Sequence, residues 1–202
     1  MDKFYLLFRR FTHAAFRLLA REAWREEAVQ RFTALLTQEG GPLRANDGRV
    51  PDGITYHLCD VYLDELERTA REAQGDEKAA TAPIPALSLL QPFVDAAATC
   101  HSALVYERIM HAVLAPFVDA CLVYQDEVAH AGDEDEGASA SAYPCLVRAT
   151  DTPPCTLRRR VYDALFTAAS AASSYDPRRR RLYKVCREEE ERREEEGDEE
   201  EV

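Results

Sequence analysis

The sequence predicts an all-α fold, and three observations lead to that prediction. In segment after segment, apolar residues recur three and four positions apart, as they do on one face of a helix. No segment alternates apolar and polar residues over the length of a strand. Short connections join the helical segments in pairs, which favours an α-solenoid of the HEAT-like kind, although the sequence has no clear repeat period.

The first predicted helix, over residues 3–21, is apolar around most of its circumference. One face carries apolar residues at helical spacing, namely Phe4, Leu7, Phe8, Phe11, Ala15, Leu18 and Leu19. Basic residues fall largely on the other face, namely Lys3, Arg10, His13, Arg17 and Arg21. Tyr5 and Leu6 widen the apolar surface, and such a helix is normally buried on two sides. We therefore expect the later part of a longer protein, with Tyr5 and Leu6 exposed when the upstream part is missing.

Two further helices are predicted in the next part of the chain. The helix over 25–37 ends at Gly40-Gly41-Pro42, because glycine caps a helix and proline does not extend one. A loop over 42–53 precedes a long helix over 54–73, and a polar linker over 75–83 follows it. The residues expected to face inward are Ala28, Phe32, Leu35, Leu36, Ile54, Leu58, Val61, Tyr62 and Leu66.

Prolines and a polar loop divide the rest of the predicted helical region. Pro85 opens a helix that Pro92 kinks, and Pro116 separates a helix over 104–114 from a segment over 117–124. Residues 130–144 are small, polar and acidic, which predicts a disordered loop. A helix over 157–172 and a short last helix opened by Asp176-Pro177 complete the array. In the first of these helices Val161, Leu165 and Phe166 are predicted to face inward, and the last helix carries the apolar residues Leu182, Tyr183 and Val185.

Charge divides the chain into one helical-repeat domain over 1–187 and a disordered acidic tail over 188–202. The 202 residues carry a net charge of −12, but 188–201 and 133–136 supply the excess. Six scattered cysteines without a CxxC pair indicate buried thiols and a reducing compartment. No apolar stretch reaches the length of a membrane span, so we expect a soluble, intracellular protein without a membrane partner.

Motifs for catalysis, metals and cofactors are weak in this sequence. His57, Asp60 and Asp64 share a helical face and suit a metal or a general base, but a solvated acidic face is the simpler interpretation. Cys100 and His101 are adjacent on a helix, so their side chains do not face each other. No glycine-rich phosphate-binding loop occurs. We predict no enzyme, and no catalytic residue, metal, cofactor or small-molecule substrate.

Arginine clusters are the candidate binding residues. They comprise Arg10, Arg17 and Arg21 on the first helix, then Arg158, Arg159, Arg160, Arg178, Arg179, Arg180, Arg181 and Lys184 on the last two. Guanidinium groups bind RNA phosphates and protein carboxylates, so RNA and acidic proteins are equal candidates. The run 178–181 also suits a nuclear import signal. The alternative is pairing within the chain, for which the glutamate-rich tail supplies carboxylates.

A series of short segments, in order, gives the chain a family resemblance. They are DKFYLLFRRF at 2–11, GGPL at 40–43, YHLCDVYLDEL at 56–66, YERI at 106–109, RRRVYDALF at 158–166 and RRRRLY at 178–183. In these segments the chain resembles the eukaryotic ribosomal RNA-processing protein 1 family, whose members are nucleolar assembly factors of the large ribosomal subunit. The resemblance covers most of residues 2–186. Family members carry a tryptophan-rich helical half before the DKFY segment, and this sequence lacks it.

The resemblance implies a HEAT-like array that acts as a non-enzymatic scaffold in large ribosomal subunit biogenesis. It implies a nucleolar location, early precursor particles and the maturation of spacer and 27S-type precursor RNA. The implied partners are other assembly factors, including a Brix-domain protein and a WD-repeat protein, with ribosomal proteins and precursor rRNA. The alternative is a helical module that binds RNA phosphates directly through the arginine clusters. A hydrolase using His57, Asp60 and Asp64 is the third hypothesis.

Overall fold

The computed structural model describes residues 2–74, 82–129 and 141–200, with side chains over 4–74, 82–125 and 141–195. In these ranges the helices are α1 (Asp2–Arg21), α2 (Glu26–Thr37), α3 (Asp52–Gln74), α4 (Ala86–Thr99), α5 (Ala103–Ile109), α6 (Ala115–Ala129), α7 (Pro144–Arg148), α8 (Pro154–Ser170) and α9 (Asp176–Glu200). The predicted all-α fold is confirmed. Beside the helices, the described residues contain one isolated bridge, between Ile84 and Thr150. None of the helices described is long and apolar enough to cross a membrane.

Three aromatic rings join α1, α3 and α4 at the centre of the array. Phe16, Tyr62 and Phe93 are fully buried. The ring centroids of Phe16 and Tyr62 lie 5.0 Å apart, and those of Tyr62 and Phe93 lie 4.5 Å apart, both in edge-to-face contact. The Tyr62 hydroxyl donates a hydrogen bond to the Leu89 carbonyl at 2.9 Å. Since its polar atom is satisfied, Tyr62 tolerates complete burial, and α1 is held against the rest of the core.

The second half of the chain folds back onto α4. Helices α8 and α9 pack against each other, and both contact α4. The Tyr175 N–H donates to the Ala98 carbonyl at 2.9 Å, which ties the α8–α9 connection to the end of α4. At the start of α4, the Ile84 N–H donates to the Ala149 carbonyl at 2.7 Å and the Asp151 N–H donates to the Ile84 carbonyl at 3.1 Å. Both ends of α4 are therefore fastened to later segments.

The structure corrects the predicted interruption at Pro116. The helix continues from α5 into α6 through a π-helical turn, Met110–Leu114. The Ala115 N–H donates to the Met110 carbonyl, five residues back. Proline has no N–H to donate and crowds the preceding turn of an α-helix. A π turn immediately before it widens the helix, so the chain passes Pro116 without a break. Likewise, α4 runs through the buried Pro92.

The structure also differs from the predicted tail. Helix α9 spans 25 residues and continues to Glu200, whereas a short helix and a disordered segment from 188 were expected. Glu189, inside that segment, is fully buried. Ion pairs one turn apart, Lys184–Glu188 and Arg187–Glu191, support the helix, both at 3.5 Å. The predicted loop over 130–144 and the predicted linker over 75–83 lie mostly outside the described residues.

Three side chains point differently from the sequence-based expectation. Leu35 and Phe166 were expected inside but are more than half exposed. Each follows directly on a buried residue of its helix, Leu36 or Leu165, and adjacent residues on a helix do not share a face. Tyr5 was expected to be exposed but is half-buried, with its ring centroid 4.6 Å from that of His57. Leu6 is exposed as expected.

Candidate interaction surfaces

The arginine cluster at the start of α8 is only partly on the surface. Arg158 is buried, and its Nε lies 2.6 Å from the Glu189 Oε1 of α9. Arg192 Nη2 lies 2.6 Å from the other oxygen of the same carboxylate. Arg159 and Arg160 are exposed. The cluster therefore divides into one arginine that closes the α8–α9 contact and two that face solvent.

The cluster at the start of α9 divides in the same way. Arg178 is buried and donates from Nε to the Cys100 carbonyl at 3.0 Å and from Nη2 to the His101 carbonyl at 2.9 Å. Its guanidinium carbon also lies 5.0 Å from the Tyr106 ring centroid. Because the buried charge is hydrogen-bonded and stacked, Arg178 joins α9 to the end of α4.

The remaining basic residues of this cluster lie nearer the surface. Arg179 donates from Nε to the Ala169 carbonyl at 3.0 Å. Arg181 pairs with Glu107, and Lys184 Nζ lies 3.5 Å from Glu188 Oε1. Arg180 is exposed, and the described residues give it no ion pair. Of the four arginines at 178–181, Arg180 therefore contributes least to the contacts that hold the fold together.

The two clusters lie at opposite ends of the α8–α9 pair. Arg158 contacts Glu189 near one end, whereas Arg179 bonds to the Ala169 carbonyl near the other. Eleven residues of helix separate 158 from 169, which corresponds to about 16 Å. The clusters are near each other in sequence, but the structure does not join them into one basic patch.

Helix α1 presents a different kind of surface. Its exposed face carries an apolar stripe, which we call the outer seam: Phe4, Leu7, Phe11, Ala14 and Leu18. Three exposed arginines run along one side of it and form the basic edge: Arg10, Arg17 and Arg21. Arg17 Nε lies 3.7 Å from Glu72 Oε2, while Arg10 and Arg21 make no ion pair within the described residues. Apolar and basic groups thus lie side by side on α1.

His57, Asp60 and Asp64 each contact a different neighbour. His57 Nε2 lies 2.8 Å from the Tyr5 carbonyl oxygen. Asp60 Oδ1 lies 3.2 Å from Arg108 Nε, and Asp64 Oδ2 lies 3.5 Å from Arg9 Nη2. Among the residues that the structure describes, no group of three or more histidines, cysteines and carboxylates is placed to hold a metal ion. These three side chains position helices in this fold.

The cysteine thiols are mostly held in their protonated form by burial. Burial raises the pKa of the Cys59 and Cys121 thiols to about 12, and that of Cys186 to about 11. Cys100 is also buried and its pKa is raised, while the adjacent His101 is exposed and packs on the Tyr175 ring. A protonated thiol is a poor nucleophile, so these cysteines act as small apolar core residues.

Comparison with known proteins identifies the family. The sequence pattern of the family described as "Nucleolar protein, Nop52" matches residues 1–202, the full chain. The chain belongs to the Nop52 family of nucleolar proteins. This agrees with the resemblance stated from the short segments, from DKFYLLFRRF onwards.

Curated relatives of this Nop52 chain are considerably longer. Ribosomal RNA processing protein 1 homolog B of Mus musculus is 29% identical over 141 residues, which cover 68% of this chain and 18% of the relative. Homolog B of Homo sapiens is 28% identical over 59% of this chain and 14% of the relative. Homolog A of Homo sapiens is 24% identical over 70% of this chain and 29% of the relative. The matched part is less than a third of each of these proteins.

Sequence reasoning missed several buried charges of the Nop52 chain. Glu67 accepts hydrogen bonds from the N–H groups of Leu146, at 2.7 Å, and Cys145, at 3.3 Å, at the start of α7. Glu65 is buried between Arg9 and His13. Arg68 and Arg71, one turn further along α3, also contact them, as charged residues on an exposed helix face commonly do. No sequence signal marks these carboxylates as buried, because the partners from other helices lie more than fifty residues away. The burial of Arg158 and Glu189 did have a signal in the sequence. Arg158 lies on the same face of α8 as Val161, and Glu189 lies on the same face of α9 as Leu182 and Cys186, and those faces are buried.

Proposed function

We propose that this chain is a non-enzymatic scaffold in ribosomal RNA processing and large ribosomal subunit biogenesis. The match of the full chain to the Nop52 family of nucleolar proteins carries this proposal. Its curated relatives are named for ribosomal RNA processing. The partners we propose are other assembly factors, including a Brix-domain protein and a WD-repeat protein, with ribosomal proteins and precursor rRNA. The proposed site of action is the nucleolar precursor of the large subunit.

The geometry supports contact with other molecules as the mechanism. A helical array with fixed side-chain contacts presents rigid faces that hold partners in register. The outer seam of α1 leaves large apolar side chains in water, which is typical of an interaction surface. The polar groups first considered for chemistry, His57 and Asp60 among them, already make contacts between helices. Loss of such a scaffold slows RNA processing without any cleavage by the chain itself.

Direct RNA binding is the second candidate function. Exposed arginines at both ends of the α8–α9 pair favour it, namely Arg159, Arg160, Arg180 and Arg181. Against it, Arg158 and Arg178 are committed to the interior, which leaves two small groups of exposed arginines, Arg159 with Arg160 and Arg180 with Arg181, at separate places on the α8–α9 pair. Few phosphate contacts give weak binding that falls with salt. RNA contact therefore supports the scaffold function as a secondary contribution.

Affinity purification of the tagged chain from its own cells tests the proposal. Mass spectrometry and RNA sequencing of the recovered material are expected to show large-subunit assembly factors and precursor rRNA. Treatment with ribonuclease before purification separates the two candidates, because protein contacts of a scaffold survive it. Recovery of small-subunit factors or of chaperones alone would contradict the scaffold role. The charge-reversed variant Arg159→Glu/Arg180→Glu is the matched control for RNA-mediated recovery.

A further inference from the structure

We propose that α9 is a strap that opens as a unit while the rest of the array stays folded, and that its opening releases buried arginines to an acidic segment of a partner protein. The inference goes beyond the scaffold function and does not depend on it. Two contacts hold the strap, and we call them its latches. The first latch is Arg178 on the carbonyls of Cys100 and His101, and the second is Glu189 on Arg158.

The latches lie at the two ends of the part of α9 that packs on the array. Arg178 donates from Nε and Nη2 to the two carbonyls, at 3.0 and 2.9 Å. Glu189 Oε1 lies 2.6 Å from Arg158 Nε, and Glu189 Oε2 lies 2.6 Å from Arg192 Nη2 on α9 itself. The helix between residues 178 and 189 is about 16 Å long. Each latch therefore joins one end of α9 to another part of the fold through a buried charge.

The inward side of α9 offers little apolar surface between the latches. Within the described residues, its buried side chains are Arg178, Leu182, Cys186 and Glu189. Those of α4 include Leu89, Leu90, Phe93 and Val94. Apolar area removed from water stabilises a contact more than a buried ion pair does, because both charges of the pair lose their hydration. Separating α9 from the array therefore costs less free energy than separating α4.

The two latches are expected to open together. Pairs one turn apart, Lys184–Glu188 and Arg187–Glu191, both at 3.5 Å, keep α9 helical and stiff. A buried charge that has lost its partner is costly, so a half-docked helix with one broken latch is unfavourable. Elements with few buried apolar contacts open as cooperative units below the free energy of global unfolding. Such an opening is expected for α9.

Opening changes what the arginines can bind. In the closed state Arg158 is 6% exposed and Arg178 is 4% exposed. Once α9 leaves, Arg158 joins the exposed Arg159 and Arg160 in a run of three accessible guanidinium groups at the start of α8. Guanidinium groups bind carboxylates through paired hydrogen bonds. The open state therefore offers a basic site that the closed state divides.

The closed state itself indicates which partner chemistry fits this site. Arg158 is paired there with a glutamate of the acidic segment REEEE at 187–191. A partner protein with clustered glutamates on a helix presents the same group, so it competes with α9 for Arg158. The closed strap is thus an autoinhibitory contact. A partner that binds only the open state shifts the population towards it.

Hydrogen exchange of the full chain, followed by NMR, tests the opening. We expect the amides of residues 182–193 to share one opening constant and to be at least 100-fold less protected than those of Tyr62 and Phe93 in the core. An undocked helix is only marginally stable in water, so its amides exchange once it leaves the array. Protection of α9 equal to that of α4 would show that α9 opens only with the whole fold, which overturns the inference.

Two latch variants separate opening as a unit from fraying at one end. Glu189→Gln is expected to speed exchange at least tenfold both at residues 188–191 and at residues 181–184, near the other latch. Arg178→Gln is expected to act in the same way in the reverse direction. Glu190→Gln is the matched control, because Glu190 is exposed. Acceleration confined to the substituted end would assign the motion to fraying and contradict the strap.

A peptide that copies residues 187–195 is the acidic probe. Fluorescence anisotropy measures its dissociation constant for the full chain. We expect it to bind the Glu189→Gln chain at least tenfold more tightly than the unmodified chain, because the strap no longer competes for Arg158. The matched control is the same peptide with Glu189→Gln, which is expected to bind at least tenfold more weakly. Adding Arg158→Gln to the Glu189→Gln chain should abolish the gain.

Other results would overturn the role of the strap or the class of partner. Equal binding of the peptide to the unmodified and Glu189→Gln chains would show that α9 does not control access to Arg158. Displacement of the peptide by an equal concentration of a 20-nucleotide RNA would assign the released arginines to RNA. Circular dichroism verifies that each variant is folded, and the exchange rates of the unmodified chain test the opening without any variant. A purification that recovers no assembly factors would contradict the scaffold role alone.

Discussion

The arginines of α1 and those of α8 and α9 are alike in sequence but differ in what they do. On α1, Arg10, Arg17 and Arg21 all lie on the exposed side, next to an apolar stripe that is also exposed. On α8 and α9, Arg158 and Arg178 are buried and hold helices together, while Arg159 and Arg180 face solvent. Successive side chains on an α-helix point about 100° apart, so in a run of consecutive arginines on a packed helix one member faces the core. Arginines spaced seven apart stay on one face.

The comparison of the two faces of α1 predicts the largest difference. Phe16→Ala removes a fully buried ring between α2 and α3 and is expected to destabilise the chain by about 4 kcal/mol. Phe11→Ala on the exposed face is expected to change the free energy of unfolding by at most about 0.5 kcal/mol. Urea denaturation followed by circular dichroism measures both. A similar loss from the two variants would mean that the outer seam is packed inside the isolated chain.

The buried charge of α9 predicts the next largest effect. Glu189→Gln leaves Arg158 buried without its carboxylate and is expected to cost about 3 kcal/mol. Glu190→Gln changes the exposed neighbour and is expected to be nearly neutral. Thermal unfolding compares the two variants. If both were neutral, residues from 188 onwards would behave as the disordered tail that composition alone suggests.

A pair of variants within the run 178–181 sharpens the division between structural and exposed arginines. Arg178→Gln loses charged hydrogen bonds to two carbonyls and a ring contact, so we expect a loss of about 2 kcal/mol. Arg180→Gln is expected to leave stability unchanged and to affect only external binding. Chemical denaturation of both proteins tests this. Equal stability of the two would indicate that the contacts of Arg178 add nothing to the fold.

The thiols predict the smallest effect, at alkaline pH. Burial raises the folded-state pKa of Cys59 from its ordinary value of 9.0 to about 12. The folded state therefore keeps a proton that the unfolded state loses. The free energy of unfolding is expected to be unaffected by this group below pH 9 and to fall as the pH rises towards 12.

The reactivity of the thiols tests their burial. At pH 8 the exposed Cys155 is expected to react with a disulfide reagent at once, and Cys59 and Cys121 only on unfolding. Cys155→Ser should remove the fastest phase and leave the slower reaction of the half-buried Cys145. Rapid reaction of the buried thiols would contradict their placement.

Helical spacing predicted most of the fold because it depends on neighbours in sequence. The bounds of α1, α2 and α3 differ from the predicted ones by one or two residues. The prediction at Pro116 was wrong because a π turn absorbs the proline, and composition does not encode that turn. The continuation of α9 was missed because acidic residues are typical of disorder. In the structure this part of α9 is held by the ion pair between Glu189 and Arg158, which lies thirty-one residues earlier in the sequence.

The sequence by itself determined the all-α class, the family resemblance and the apolar surplus on α1, because these follow from local spacing and from short motifs. Only the tertiary structure decided which side of α1 stays exposed and which arginines are buried. It also showed that the clusters at 158–160 and 178–181 lie at opposite ends of α8 and α9. Those outcomes depend on packing between distant segments, where a single buried carboxylate such as Glu189 turns an apparent binding residue into part of the core.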